Sequence, residues 1–162
     1  MKGKLKIIPF KKEHTKGFHD LNIAWLEKYF YVEDHDREVL ENPQTYIIAN
    51  GGYVFMVEYQ NEIVGTVALI NEKEGFELSK MAVEPKYQGL KLGQQLMTHC
   101  INFAKHKGWR KLLLYSNRSL ENAIYIYRKF GFAEVPIVDS PYSRGDIKMV
   151  LDLQAHKKSE RV

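Results

Sequence analysis

Between residues 53 and 83 the chain alternates short apolar runs with polar breaks. The run Tyr53–Tyr59 follows Gly51-Gly52, Gln60-Asn61 interrupts it, and Glu62–Ile70 is a second, β-branched run. Asn71-Glu72-Lys73-Glu74-Gly75 reads as the next turn and Phe76–Val83 as the strand after it, so three antiparallel strands in series are the economical reading. After Pro85 the apolar spacing changes from a period of two to the helical 3.6. Leu92, Leu96, Met97, Cys100, Phe103 and Ala104 share one helical face, and Gly108 is placed to end that helix. Lys111–Tyr115 is a compact buried strand, Leu120–Phe130 a helix stopped by Gly131, and Phe132–Val138 and Asp146–Leu153 a final pair of strands. Upstream, residues 4–9 predict a strand ending at Pro9, and residues 11–30 a helix with Phe18, Leu21, Ile23, Trp25, Leu26, Tyr29 and Phe30 on its apolar side. Asp36–Glu41 is a shorter helical piece, ended by Asn42-Pro43. The order β, α, three strands, α, β, α, two strands is that of a mixed α/β sheet of α+β character.

Length and composition narrow the class. The 162 residues are read as one domain over 1–155, with residues 156–162 a polar tail expected to be disordered. A chain of this size buries roughly 70% of its unfolded surface, enough for one core without staples. Cys100 stands alone, so no internal disulfide points to an oxidising compartment, and its place on the apolar helical face marks it as core. The basic N-terminal start carries an apolar stretch too short for a signal peptide. No apolar run approaches the roughly 20 residues of a membrane helix, so a soluble, cytoplasmic protein without a membrane partner is expected.

The net charge of +4 raises the question of nucleic acid. Most basic residues are interspersed with acids, as in Glu27-Lys28 and Asp36-Arg37; the denser patches are Lys2 to Lys12 and the tail Lys157, Lys158, Arg161. No recognition helix, zinc finger or aromatic RNA motif accompanies them, so no nucleic-acid partner is expected, and the excess suits an anionic cofactor. The six histidines show neither HExxH nor clustered ligand spacing, and no metal is expected.

The chemically informative segment is Met81–Leu96. There a strand runs into a glycine-containing turn that opens a helix. Such a helix N-terminus presents unpaired N–H groups and the positive end of its dipole, which suits a phosphate, and glycine lets the backbone approach closely. By itself a turn of this kind is more often structural.

The segments that follow give it a context. Gln88 and Gly93 fit the pattern Q/R-x-x-G-x-G/A, with Lys91 where the pattern has its first glycine, and Ala123-Ile124-Tyr125-Ile126-Tyr127-Arg128-Lys129-Phe130-Gly131-Phe132 fits A-I-x-L-Y-x-K-x-G-F. With one helix and one strand between these elements, the chain resembles the GNAT superfamily of N-acetyltransferases over roughly residues 5–153. Glu77–Val83 and Tyr142-Ser143-Arg144 look like a bacterial branch whose members occur alone or fused behind a winged-helix domain.

The resemblance implies a central, mostly antiparallel mixed sheet of about seven strands flanked by about four helices, with a splayed strand pair holding acetyl-CoA. It implies a pantetheine arm along Met81, Ala82 and Val83 and a pyrophosphate on the N–H groups of Gln88, Gly89, Leu90, Lys91, Leu92, Gly93 and Gln94. Lys111–Ser116 would be the splayed neighbour, with Asn117 and Ala123 beside the cofactor. Many relatives carry that asparagine three residues before the alanine matching Ala123, where this chain has Leu120.

A lysine at position 91 costs roughly 1–2 kcal/mol if its backbone is left-handed and nothing if it is helical. An alkylamine with pKa about 10.4 needs roughly 4.6 kcal/mol to lose its proton at pH 7, so direct transfer without an acyl-enzyme calls for a base. Glu77, at the start of the cofactor strand, is the candidate, against a solvent-facing strand glutamate or a water chain. Tyr127 is the candidate acid for the leaving thiol, against a core aromatic. Glu33, Asp36, Tyr142 and Arg144 are candidates for framing an acceptor pocket, against solvated loops. The acceptor is expected to be a small-molecule amine or a protein lysine, and the protein a monomer or homodimer. An acetyl-CoA sensor without turnover and a nucleic-acid module are the alternatives.

Overall fold

The computed structural model describes residues 4–138, 140, 142 and 144–154; the expected tail at 156–162 lies outside them. Strand β1 (Lys6–Pro9) pairs antiparallel with β2 (Tyr53–Tyr59), and β2, β3 (Glu62–Glu72) and β4 (Gly75–Val83) form the expected meander. Gln60 and Asn61 both take left-handed φ values of 52° and 64° in the β2–β3 turn, the geometry of a tight hairpin. After β4 a 3₁₀ turn (Pro85–Leu90) leads into helix α3 (Leu92–Lys107), which ends at Gly108 with a left-handed φ of 76°. Strand β5 (Lys111–Ser116), helix α4 (Glu121–Lys129), β6 (Ala133–Val135) and β7 (Ile147–Asp152) complete the C-terminal half.

The sheet order is β1-β2-β3-β4-β5-β7-β6, and β4–β5 is its parallel pair, joined by a crossover through α3. The predicted strand over 132–138 is found only at Ala133–Val135, because Pro136 has no N–H to continue the ladder. Helix α1 (Thr15–Tyr29) begins later than predicted, after a 3₁₀ turn at Lys12–His14, and α2 (Asp34–Glu41) begins two residues earlier.

Strand alternation divides the core between the two faces of the sheet. Val54, Met56 and Ala68 pack under α1 and α2 with Phe18, Leu26 and Leu40. Their neighbours Phe55, Val57, Val67 and Leu69 point the other way, against Leu92, Leu96 and Met97 of α3, and Ile124 and Tyr127 of α4 pack on the same cluster. Complete burial of leucine-sized side chains such as Leu40 and Leu96 contributes roughly 1.5–3 kcal/mol each, which fixes both helix layers on the sheet.

Candidate active site

Strands β4 and β5 are paired only at Phe76↔Leu112 and Glu77↔Leu113, and beyond those positions they diverge. A cavity of about 700 Å³ fills the gap and reaches from the start of α3 to α1. It is lined by Leu78–Val83 on one side and by Leu114–Asn117 and α4 on the other.

A bulge in β4 shapes this gap. Thr66 opposes Ala82 while Ala68 opposes Ser79, so Lys80 and Met81 together face the single residue Val67. Phe76 and Leu78 point to the α3 face, and after the extra residue Met81 and Val83 do so instead of Lys80 and Ala82. Lys80 takes a left-handed φ of 53°, a strain of roughly 1–2 kcal/mol for a non-glycine residue.

At the α3 end the first helical hydrogen bond runs from the Gln95 N–H to the Lys91 carbonyl at 3.1 Å. The N–H groups of Leu92, Gly93 and Gln94 therefore precede the intrahelical ladder and carry the positive end of the helix dipole. Lys91, Gly93 and Gln94 line the cavity there. Lys91 is left-handed, with φ 56° and ψ 38°, so the costlier of the two backbone alternatives is the one adopted. Gly93 has no need of glycine's torsional freedom. A Cβ on it would sit 3.7 Å from Met81 Sδ, inside the mouth of the gap, so what glycine leaves there is space. A Cβ at Gly89 meets no atom within 4 Å, and Leu90 is exposed. Gln88 lies in the 3₁₀ turn, and its side chain is outside the described atoms.

At the α1 end a set of charges is buried. Glu77 is only 2% exposed, and burial pushes its carboxyl up to about 7 despite the nearby Lys80 charge and a 3.0 Å hydrogen bond donated by the Tyr142 hydroxyl. That hydroxyl lies 3.3 Å from Ser79 Oγ, and burial together with Glu77 pushes it well above the usual phenol range. Asp36 is 1% exposed. Arg144 donates to both its oxygens, at 2.8 and 2.9 Å, and to Glu33 Oε2 at 2.7 Å. Lys80 Nζ is 3.4 Å from Asp36 Oδ1, and the Glu33 N–H donates to Asp36 Oδ2 at 3.0 Å. Burial opposes ionisation of Asp36, but these donors outweigh it and hold the carboxyl below its ordinary value. Burial lowers the Lys80 ammonium in turn, against the pull of Asp36 and Glu77.

The structure thus brings Glu33, Asp36, Tyr142 and Arg144 into one network with Glu77. Tyr142 and Arg144 line the cavity, whereas Asp36 lies behind Arg144 with both oxygens committed, which makes it a support for the wall and no part of its surface. Glu77 is buried at the fork of the splayed strands, not facing solvent. Tyr127 and Ala123 line the cavity from α4. The Tyr127 hydroxyl has no hydrogen-bond partner among the described residues, and burial raises its pKa. Asn117 is already occupied: Nδ2 donates to the Arg144 carbonyl at 2.8 Å, and Oδ1 accepts from the Ser119 N–H and hydroxyl at 2.9 and 2.6 Å. It staples Arg144 to the end of β5 and keeps one N–H for a ligand.

Sequence reasoning missed Lys80 and Ser79, and with them the α1 wall of Asn22, Trp25, Tyr29 and Phe30. A signal for the bulge was present, since the apolar positions change phase between Phe76, Leu78 and Met81, Val83.

Residues 19–132 match the model of the acetyltransferase (GNAT) family. The chain is similar to a putative [ribosomal protein bS18]-alanine N-acetyltransferase of Bacillus subtilis, 26% identical over 107 residues, which are 66% of this chain and 63% of that protein. Against the spermidine N(1)-acetyltransferase of Escherichia coli K12 it is 29% identical over 139 residues, 80% of this chain and 73% of that one. In fold it resembles a GNAT acetyltransferase of Staphylococcus aureus Mu50, with TM-score 0.82 at 22% identity and 93% and 99% of the two chains covered. It also resembles a GNAT acetyltransferase of Elizabethkingia anophelis solved with acetyl-CoA bound, with TM-score 0.68 at 22% identity and 92% and 98% covered. On the family match over most of its length, this chain belongs to the GNAT family of acetyltransferases.

Proposed function

We propose that this protein, one domain over residues 1–155, is an N-acetyltransferase that moves the acetyl group of acetyl-CoA directly to a primary amine. The observation that carries the proposal is Glu77, a buried carboxyl pushed up to about 7 at the fork of a cavity that opens at its other end on the free N–H groups of α3. A base matched to neutral pH is what deprotonation of an ammonium requires. The cavity fits acetyl-CoA. The α3 N-terminus and Lys91 suit its phosphates, the diverging edge of β4 at Met81 and Val83 leaves backbone for the pantetheine amides, and Gly93 leaves the width to pass.

Bound acetyl-CoA supplies the electrophilic thioester carbonyl. The ammonium first gives one proton to Glu77, directly or through water, and the freed amine nitrogen forms its bond to that carbon as the carbon–sulfur bond breaks. The second nitrogen proton passes through water to the Tyr127 oxygen, whose hydroxyl proton goes to the departing sulfur. That donation is uphill by more than about 2 kcal/mol, because burial makes this phenol a weaker acid than usual.

Thermal melts with millimolar acetyl-CoA, followed by thiol release across a panel of amines, test the reading. At 100 times its dissociation constant the ligand stabilises the fold by about 2.7 kcal/mol. An unchanged melting point overturns the proposal and an acetyl-CoA sensor alike, whereas a raised melting point with no thiol release from any amine leaves only the sensor.

A further inference from the structure

Granting the acetyl-transfer reading, we infer that the acceptor is a monoamine carried on an aromatic body, with no second positive charge. The gap between β4 and β5 passes through the sheet. One mouth lies at α3, and the other lies under α1, where Trp25, Leu26, Tyr29 and Phe30 line the wall across from Tyr142 and Arg144. Trp25 stands 5.2 Å from Tyr29 and 5.7 Å from Phe30, centre to centre, so three rings form one patch. Tyr29 is still 42% exposed, so the patch is open to a ligand and not closed into the core.

The charges around this chamber are nearly balanced by pairing. Lys80 and Arg144 are its cations, and each lies 4.9 Å from the centre of the Tyr142 ring, so that ring already carries two. Among the described lining residues the carboxylates are Glu77 and Glu121, and Glu121 belongs to the α4 wall with Ser119 and Asn122. Asp36 and Glu33 are engaged by Arg144, and Asp36 by Lys80 as well. One carboxylate, Glu77, thus remains for one ammonium. A polyamine, fully protonated at neutral pH, would bring further charges for which no carboxylate remains among the described residues lining this chamber, since Asp36 and Glu33 are paired with Lys80 and Arg144.

The test measures kcat/KM by thiol release with phenethylamine and with spermidine, in the wild type and in Trp25→Ala and Tyr29→Ala. Phenethylamine is expected to exceed spermidine by about 10–200-fold, the range that apolar pocket contacts support. Trp25→Ala raises the phenethylamine KM about tenfold with kcat little changed, and leaves spermidine unaffected. Tyr29→Ala, at an exposed position that does not threaten the fold, moves KM in the same direction. Spermidine turned over as well as phenethylamine, or a phenethylamine KM indifferent to both variants, overturns the inference. Acetyl-CoA raising the melting point while a non-aromatic amine, and neither of these, is acetylated overturns it and leaves acetyl transfer standing. No effect of acetyl-CoA on melting removes the reading beneath it.

Discussion

The two ends of the cavity are built on opposite principles. The α3 end is almost all backbone: consecutive N–H groups of one helix turn, a glycine that leaves space, and a single lysine in a left-handed conformation. The α1 end is almost all side chain. Glu33 and Asp36 come from the start of α2, Glu77 and Lys80 from β4, and Tyr142 and Arg144 from the turn before β7, joined by hydrogen bonds across as many as 111 positions of sequence. A site made of contiguous backbone tolerates side-chain replacement; a buried network of charges does not, because removing one member leaves another uncompensated.

Glu77→Gln should give the largest effect and sharpen that contrast. General-base loss lowers kcat by about 10²–10⁴-fold, and the acid limb of the rate profile, expected near pH 7 in the wild type, disappears. Stability moves the other way. The Glu77 pKa rises from an ordinary 4.5 to about 7 on folding, so the native state holds this proton more tightly than the unfolded chain. Its stabilising contribution is full below about pH 4.5 and lost as pH rises to about 7. Above that pH the fold carries a buried charge that glutamine removes, and the variant should gain up to about 3 kcal/mol at pH 8 by denaturant titration. Tyr127→Phe should lower kcat over the same 10²–10⁴ range with acetyl-CoA affinity changed less than about tenfold, since it loses one hydroxyl and keeps its packing. Full activity in either variant returns its residue to a structural role.

Next in size is Asp36→Ala, which breaks the network where the site meets the fold. Arg144 loses two hydrogen bonds, Lys80 loses its ion-pair partner, and the start of α2 loses the acceptor of the Glu33 N–H. Leaving buried charge unpaired in this way typically costs about 3–5 kcal/mol, read as a lowered denaturation midpoint. A cost below about 1 kcal/mol would mean that the α1 end is as tolerant as the α3 end, and the contrast would fail.

The same contrast explains what could be read from the sequence. The meander, the helices and the α3 turn depend on spacing within segments of ten or twenty residues, and periodicity and glycine placement expose them. Ala123–Phe132 and Gln88–Gly93 are likewise contiguous, which is why the family resemblance rests there. Glu33, Asp36, Tyr142 and Arg144 were nameable only as charged and polar positions; that Arg144 grips both acids depends on where β5 ends and how Asn117 ties down the Arg144 carbonyl. The β4 bulge leaves a one-residue phase change in the apolar pattern, and Lys80 therefore reads as a surface lysine until the strand pairing is known. Asn117 illustrates the converse. Its place in sequence suggests a ligand contact, and the three hydrogen bonds it makes give it a structural duty first.

The smallest expected effect belongs to Lys91→Gly at the backbone-built end. Glycine relieves the left-handed strain of roughly 1–2 kcal/mol but widens the unfolded ensemble by about 0.4–1 kcal/mol, so the free fold should gain no more than about 1.6 kcal/mol. Against that gain stands the loss of a positive charge at the mouth that faces the phosphates. The side chain is exposed, so its contribution to acetyl-CoA affinity is that of a surface ion pair, about two- to fivefold at low salt and less as salt screens it. Calorimetric titration of both proteins at about 50 mM and 500 mM salt separates the two contributions. A weaker Lys91→Gly complex at low salt that converges on the wild type at high salt assigns the lysine to the phosphates. Tighter binding by the glycine variant at both concentrations would leave Lys91 as strain alone, and this end of the cavity would then owe its affinity entirely to the N–H groups of Leu92, Gly93 and Gln94.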